Sequence, residues 1–157
     1  HTRLQGDWSS DVCSSDLKDC YCSTIDLTDY FSQLELDSAS KNMFNFYYKD
    51  YVMSYNRAPQ GWQSSPFFGV LALKMTFSPE SKAVFLEEFP QYKSMKIFQE
   101  DLSQRLFWFQ DDGGVFSPIK YGEDSHFALL HYVFYCLQQV GLKISAHKMS
   151  VLVKDFK

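Results

Sequence analysis

The chain has 157 residues, 45% of them apolar and 18% aromatic, enough for one domain with a sizeable core and far too many for intrinsic disorder. Its 15 basic and 19 acidic residues give a formal charge of -4, without the basic excess usual in nucleic-acid binders. Cys13, Cys20, Cys22 and Cys136 are too few and too irregular for a secreted disulfide framework.

His1 to Leu17 reads HTRLQGDWSSDVCSSDL, a stretch poor in apolar residues that resembles the in-frame translation of a sequencing-library adapter. The alternative is a natural Ser/Asp-rich linker. We therefore expect two parts, a non-native segment 1–17 and a native segment 18–157. Three cysteines then remain, consistent with a reducing compartment. The missing initial Met and the abrupt stop at Phe156-Lys157 read as a piece of a longer frame.

Cys22 to Leu27 is short and apolar, a candidate buried strand with Asp26 at its end. Met43–Tyr48 and Tyr51–Tyr55, separated by Lys49-Asp50, read as a β-hairpin whose aromatic residues belong to sheet core or sheet edge. A turn at Ala58-Pro59-Gln60-Gly61 precedes a helix that starts near Ser64-Ser65-Pro66 and runs to Met75. Pro79 opens a second helix, to about Glu88, and Pro90 ends it. Leu106 to Phe109 is a strand, Asp111-Asp112-Gly113-Gly114 a tight reversal in which a glycine supplies the positive φ, and Val115-Phe116 the return. A helix capped by Asp124 follows, with Phe127, Leu130, Phe134 and Leu137 on one face and Gly141 at its end. Leu142 to Ile144 starts a further short strand. Its longest apolar run, Phe127 to Leu137, is too short to span a bilayer, so no membrane partner is expected. Hairpin-connected strands mixed with helices give an α+β fold, an antiparallel sheet with helices packed on one face.

The carboxylates carry the chemistry. Asp26 ends one apolar strand and Asp111-Asp112 ends another, so neighbouring strands would bring all three together. Converging carboxylates repel unless cations neutralise them, and a few hard oxygen ligands suit Mg²⁺. Two such ions can stabilise both oxygens of an in-line displacement at phosphorus. The other candidates read as structure: Cys20-x-Cys22 lacks a partner pair for zinc, and His126 and His131, five apart, suit packing better than ligation.

The pattern resembles the palm of a reverse transcriptase of the retroviral and long-terminal-repeat retrotransposon type. Ile25-Asp26-Leu27-Thr28-Asp29-Tyr30-Phe31 through Leu34 is similar to the first palm motif, Arg57-Ala58-Pro59-Gln60-Gly61-Trp62 through Phe68 to the second, Phe109-Gln110-Asp111-Asp112 to the third, and Gly141 through Lys148 to the fourth. The resemblance runs from about Cys22 to Lys157 in the family's order. It implies that Asp26, the Leu27 carbonyl, Asp111 and Asp112 serve two Mg²⁺ ions, Mn²⁺ being a substitute. It implies that Phe31 lies under the incoming sugar and excludes a 2′-hydroxyl, that Gln60 and Gly61 approach the nucleotide, and that Lys148 is a general acid near the pyrophosphate. Asp26, Asp111, Asp112 and Lys148 are then the catalytic set.

The implied activity is RNA-directed DNA polymerisation, with an RNA or DNA template, a primer and deoxynucleoside triphosphates as partners. The implied setting is a larger polyprotein inside the cell, in cytoplasm or a virus-like particle. Residues 18–157 would be a palm truncated at both ends, without fingers or thumb, and inactive by itself. A decayed or binding-only domain is the alternative. The sequence departs from the family pattern at Gln110, at Gly113-Gly114, at Tyr30 where a small residue is usual, and in extra length around Thr76 to Ser103.

Overall fold

The computed structural model describes residues 19–153, so the segment 1–17 lies outside the described residues. Four strands form one antiparallel sheet in the order β4-β5-β1-β6: β1 is Cys20–Asp26, β4 Leu106–Phe109, β5 Asp112–Pro118 and β6 Ser150–Val153. β1 lies at the centre and is buried along its whole length, as its uninterrupted run of small and apolar residues requires. β1 and β5 pair from Cys20↔Pro118 to Asp26↔Asp112.

Two four-residue helices follow β1, α1 (Tyr30–Gln33) and α2 (Ser38–Lys41), and lead into the hairpin β2 (Asn45–Tyr48) and β3 (Tyr51–Ser54). The hairpin turns at Lys49-Asp50 as expected, with Lys49 at φ 53°. It is a separate two-stranded sheet, however, and all eight of its strand residues are exposed, Tyr47 by 83%. Of the expected sheet core and sheet edge, these aromatics form edge and not core: among the described residues no third strand pairs beside them, and the ribbon residues are exposed. α3 (Ser65–Thr76) and α4 (Pro79–Glu88) fall where proline and serine signals put them, and the Ser78 hydroxyl caps α4 by accepting from the Ser81 amide.

The long helix α5 (Gly122–Gln139) starts two residues before Asp124, and its buried face is rotated from the expected one. Phe127 is 47% exposed, whereas His126, Leu129, Leu130, Val133, Cys136 and Leu137 are buried. The cause is His126, which is fully buried and bonded through Nε2 to Ser23 Oγ (2.7 Å) and through Nδ1 to Ser117 Oγ (2.7 Å). Those two bonds clamp α5 to β1 and β5, and burial pushes the imidazole down to about 4, keeping it neutral. Gly141, at φ 75°, ends the helix as anticipated. Leu142 to Ile144 forms only the bridge Leu27↔Ile144, not a strand.

α3, α4 and α5 cover one face of the sheet, where Ile25 and Val115 join Leu73, Phe85, Leu129 and Val133 in the main core. The stretch from Thr76 to Ser103 builds part of this core. Phe85 of α4 is fully buried among Phe89, Tyr92, Phe98 and Tyr132, with ring centroids 5.1–5.7 Å away. The opposite face carries a smaller cluster of Cys22, Phe116, Phe107 and Phe109. Cys20, Cys22 and Cys136 are buried. Among the described residues no helix is long and apolar enough to cross a membrane.

Candidate active site

β4 and β5 pair with Phe109 opposite Asp112, which leaves Gln110-Asp111 as a two-residue loop. The positive φ belongs to Gln110, at 53°, so the reversal lies at Gln110-Asp111 and not at the glycines. A left-handed conformation costs a side-chain-bearing residue about 1–2 kcal/mol, and strain of this kind concentrates at functional sites. Gly113 and Gly114 lie within β5, and Gly113 has its own reason to be glycine. A Cβ there would stand 2.3 Å from Cζ3 of Trp108, its cross-strand partner, whose indole stacks on Phe77 at 5.6 Å and 15°. The glycine therefore does not weaken the return strand; it makes room for the ring that steadies the hairpin.

This hairpin is tied directly to the end of β1. Asp26 faces Asp112 in register, and the Leu27 amide donates to the Asp111 carbonyl at 2.8 Å. Carboxylate oxygens of Asp26, Asp111 and Asp112 come within 4.8 Å of one another, Asp26 being buried and the other two half-buried. The segment before β6 closes the group from the far side. The Ser145 amide donates to the Asp26 carbonyl at 2.8 Å, and Lys148 Nζ lies 3.3 Å from Asp26 Oδ2. Among the described residues one ammonium faces three carboxylates, a cluster of hard oxygen donors of the kind that suits Mg²⁺ or Mn²⁺.

Asp26, Leu27, Phe31, Gln60, Gly61, Asp111 and Lys148 all line one polar cleft of about 360 Å³. Asp112 borders it through the carboxylate cluster. Residues from four separated stretches of sequence thus share one site. Gly61, at φ 85°, has no atom within 4 Å of the position a Cβ would take, so its backbone is open to approach. Phe31 sits on α1, and the neighbouring Tyr30 is buried with its hydroxyl donating to the Gly69 carbonyl at 2.6 Å. Burial pushes the Tyr30 phenol up to about 12.

Several residues in and beside the cleft lie within the quoted motifs but received no role from the sequence. Thr28 Oγ1 bonds Ser145 Oγ at 2.9 Å, joining the first and last stretches of the site. Gln33 accepts from the Lys143 amide at 2.7 Å and donates to the Thr28 carbonyl. Isolated Ser, Thr and Gln residues carry no periodic or spacing signal; the bridge Leu27↔Ile144 and the bond from the Thr28 amide to the Lys143 carbonyl (3.0 Å) bring these together.

A family model described as "Reverse transcriptase (RNA-dependent DNA polymerase)" matches residues 3–157. No curated protein matches the chain. Among solved structures, the foamy viral protease-reverse transcriptase in complex with double-stranded DNA is similar at TM-score 0.60 and 20% identity, over 85% of this chain and 19% of that one. The same viral enzyme in complex with an RNA/DNA hybrid gives 0.59 and 21% over 84% and 14%, and native prototype foamy virus protease-reverse transcriptase 0.59 and 19% over 83% and 14%. The chain thus spans less than a fifth of the length of these three structures.

Proposed function

Because the chain belongs to the reverse transcriptase family, we propose that it is the palm at which an RNA-directed DNA polymerase joins a deoxynucleotide to a primer 3′-hydroxyl. The observation that carries this reading is the meeting of Asp26, Phe31, Gln60, Gly61, Asp111 and Lys148 in one cleft, with Asp112 completing the carboxylate cluster.

Asp26, the Leu27 carbonyl, Asp111 and Asp112 would hold two Mg²⁺ ions. Bound there, the ions would supply Lewis-acid stabilisation to the attacking and leaving oxygens of an in-line displacement at phosphorus. The protein's own part is placement. The β4–β5 turn and the end of β1 hold the carboxylates on adjoining strands, so the cluster is organised before any substrate arrives. Lys148, held beside Asp26 in the cleft, would give its Nζ proton to the departing pyrophosphate. Phe31 offers a flat apolar wall where the sugar would lie. The Gln60-Gly61 turn lets backbone approach the incoming nucleotide, because Gly61 presents no side chain.

The partners on this reading are an RNA or DNA template with its primer and deoxynucleoside triphosphates. The complexes of the foamy viral enzyme with double-stranded DNA and RNA/DNA hybrid support nucleic acid as partner. We further propose that residues 1–17 are adapter-derived and that the native part belongs to a larger retroelement polyprotein acting inside the cell. Primer extension by the full-length protein tests the function. Asp111→Asn is expected to lower extension by at least about 100-fold, and wild-type-like activity in that variant would refute the metal assignment. Inactivity of the intact wild-type protein with retained template binding would favour a binding-only domain.

A further inference from the structure

The wall of the cleft formed by Phe31 rests on an unusually weak element. α1 has only four residues, starts from Asp29 in the left-handed region at φ 42°, and has no side-chain cap bond. Such a turn cannot fix the direction of its own side chains. Its support comes instead from α3. Tyr30 is 2% exposed, and its hydroxyl donates to the Gly69 carbonyl at 2.6 Å, crossing from α1 to the middle of α3. The Tyr30 and Phe31 rings lie against each other, with centroids 5.7 Å apart and planes at 32°.

Gly69 is the other half of this support. An interior glycine weakens a helix, so its presence in the middle of α3 needs a cause. A Cβ on Gly69 would meet Tyr30 Cε2 at 3.0 Å and Phe31 Cε1 at 3.2 Å, tighter than side chains ordinarily pack. Both rings therefore lean on a surface that only glycine leaves free. Tyr30 stands where the resemblance leads one to expect a small residue, and Gly69 yields the volume that the tyrosine fills. The two form a large-for-small exchange between α1 and α3, and the second ring touching that exchange is the one that lines the nucleotide cleft.

We propose that Gly69 and Tyr30 are positioning residues for Phe31, setting how far its ring reaches into the cleft and so how strictly a nucleotide 2′-hydroxyl is excluded. This rests on the polymerase reading above and names what controls sugar selection at that site. A methyl group at Gly69 pushes the Phe31 ring away from α3 and into the cleft, which narrows the space for the sugar. Loss of the Tyr30 hydroxyl frees α1 from α3 without changing the ring volume, which lets Phe31 retreat when a ribonucleotide binds.

The test is steady-state primer extension by the full-length protein with dTTP and with UTP, for the wild type, Gly69→Ala and Tyr30→Phe. Gly69→Ala is expected to raise KM for dTTP by about 5-fold or more with kcat within about 2-fold, and to strengthen discrimination against UTP. Tyr30→Phe is expected to weaken that discrimination by about 3- to 10-fold at nearly unchanged dTTP turnover. A purely structural role would lower the melting temperature and the active fraction and leave KM and the dTTP/UTP ratio unmoved. Circular dichroism melts confirm that each variant is folded at the assay temperature. Should Gly69→Ala fail to fold, Tyr30→Phe, which keeps the ring, decides the matter alone. An active wild type whose folded variants keep KM and selectivity within about 2-fold overturns the proposal and leaves the polymerase reading standing. A wild type that extends no primer with either nucleotide overturns the reading itself, and the proposal with it.

Discussion

Replacing Gly113 with alanine should show how tightly the aspartate-bearing hairpin is built. The added Cβ would lie 2.3 Å from Cζ3, 2.6 Å from Cε3 and 2.7 Å from Cη2 of Trp108, so three ring atoms would each have to withdraw by about 1 Å to reach ordinary contact. The indole cannot withdraw freely, because its far face stacks on Phe77 and its strand is paired to β5. Overpacking of this kind costs about 1–3 kcal/mol, and two strand neighbours with no slack put the expected loss near 2 kcal/mol. For a chain of this size that lowers the melting temperature by about 4–8 °C. The control is the double-mutant cycle with Trp108→Ala. Without the indole, alanine at position 113 meets no ring, and its cost should fall below about 0.5 kcal/mol, giving a coupling near 2 kcal/mol. Urea unfolding followed by far-ultraviolet circular dichroism measures all four proteins. A Gly113→Ala variant within 0.5 kcal/mol of the wild type, or additive losses in the cycle, would refute the reasoning.

Other outcomes follow from the same geometry. Burial keeps His126 neutral in the folded protein, near 4 against about 6.5 for an exposed imidazole, so its contribution is fully present above pH 6.5 and is lost as pH falls towards 4. The loss amounts to about 3 kcal/mol. Urea midpoints between pH 7.5 and 4 should therefore fall more steeply for the wild type than for His126→Gln, and parallel curves would contradict this. Gln110→Gly relieves the left-handed strain at the turn but adds chain freedom, for a net gain of about 0.5–1 kcal/mol in a thermal melt; a lowered melting temperature would count against a strained turn. Lys148→Ala should slow extension by at least about 100-fold without weakening Mn²⁺ binding in calorimetry, since the ammonium competes for Asp26. Weakened Mn²⁺ binding would show that the lysine organises the carboxylates.

Much of this was legible in the sequence because the signals were local. The proline-opened helix Pro79–Glu88, the strand Leu106–Phe109 and the Lys49-Asp50 turn all follow from neighbouring residues. The carboxylates could be paired because each ends an apolar strand. What escaped depended on partners distant in sequence. The glycines after Asp112 looked like the turn, but the register Asp26↔Asp112 places Asp112 in the strand and moves the positive φ to Gln110. The apolar spacing on α5 pointed to Phe127, yet the bonds from His126 to Ser23 and Ser117 rotate the helix away from it. Tyr30 looked anomalous until Gly69 stood opposite. The exposed ribbon has the composition of a core strand, and composition does not reveal whether a third strand pairs beside it.

The placement of β1 between β5 and β6 has a consequence in time. Asp26 leaves the ribosome well before Asp111 and Asp112, and Lys148 follows them. The first aspartate must wait for the β4–β5 hairpin, so the proposed cation site cannot exist until that hairpin has paired with β1. Affinity for a divalent ion would thus report the pairing of β1 with β5. A luminescent lanthanide added during refolding should bind with the last kinetic phase rather than with the initial collapse.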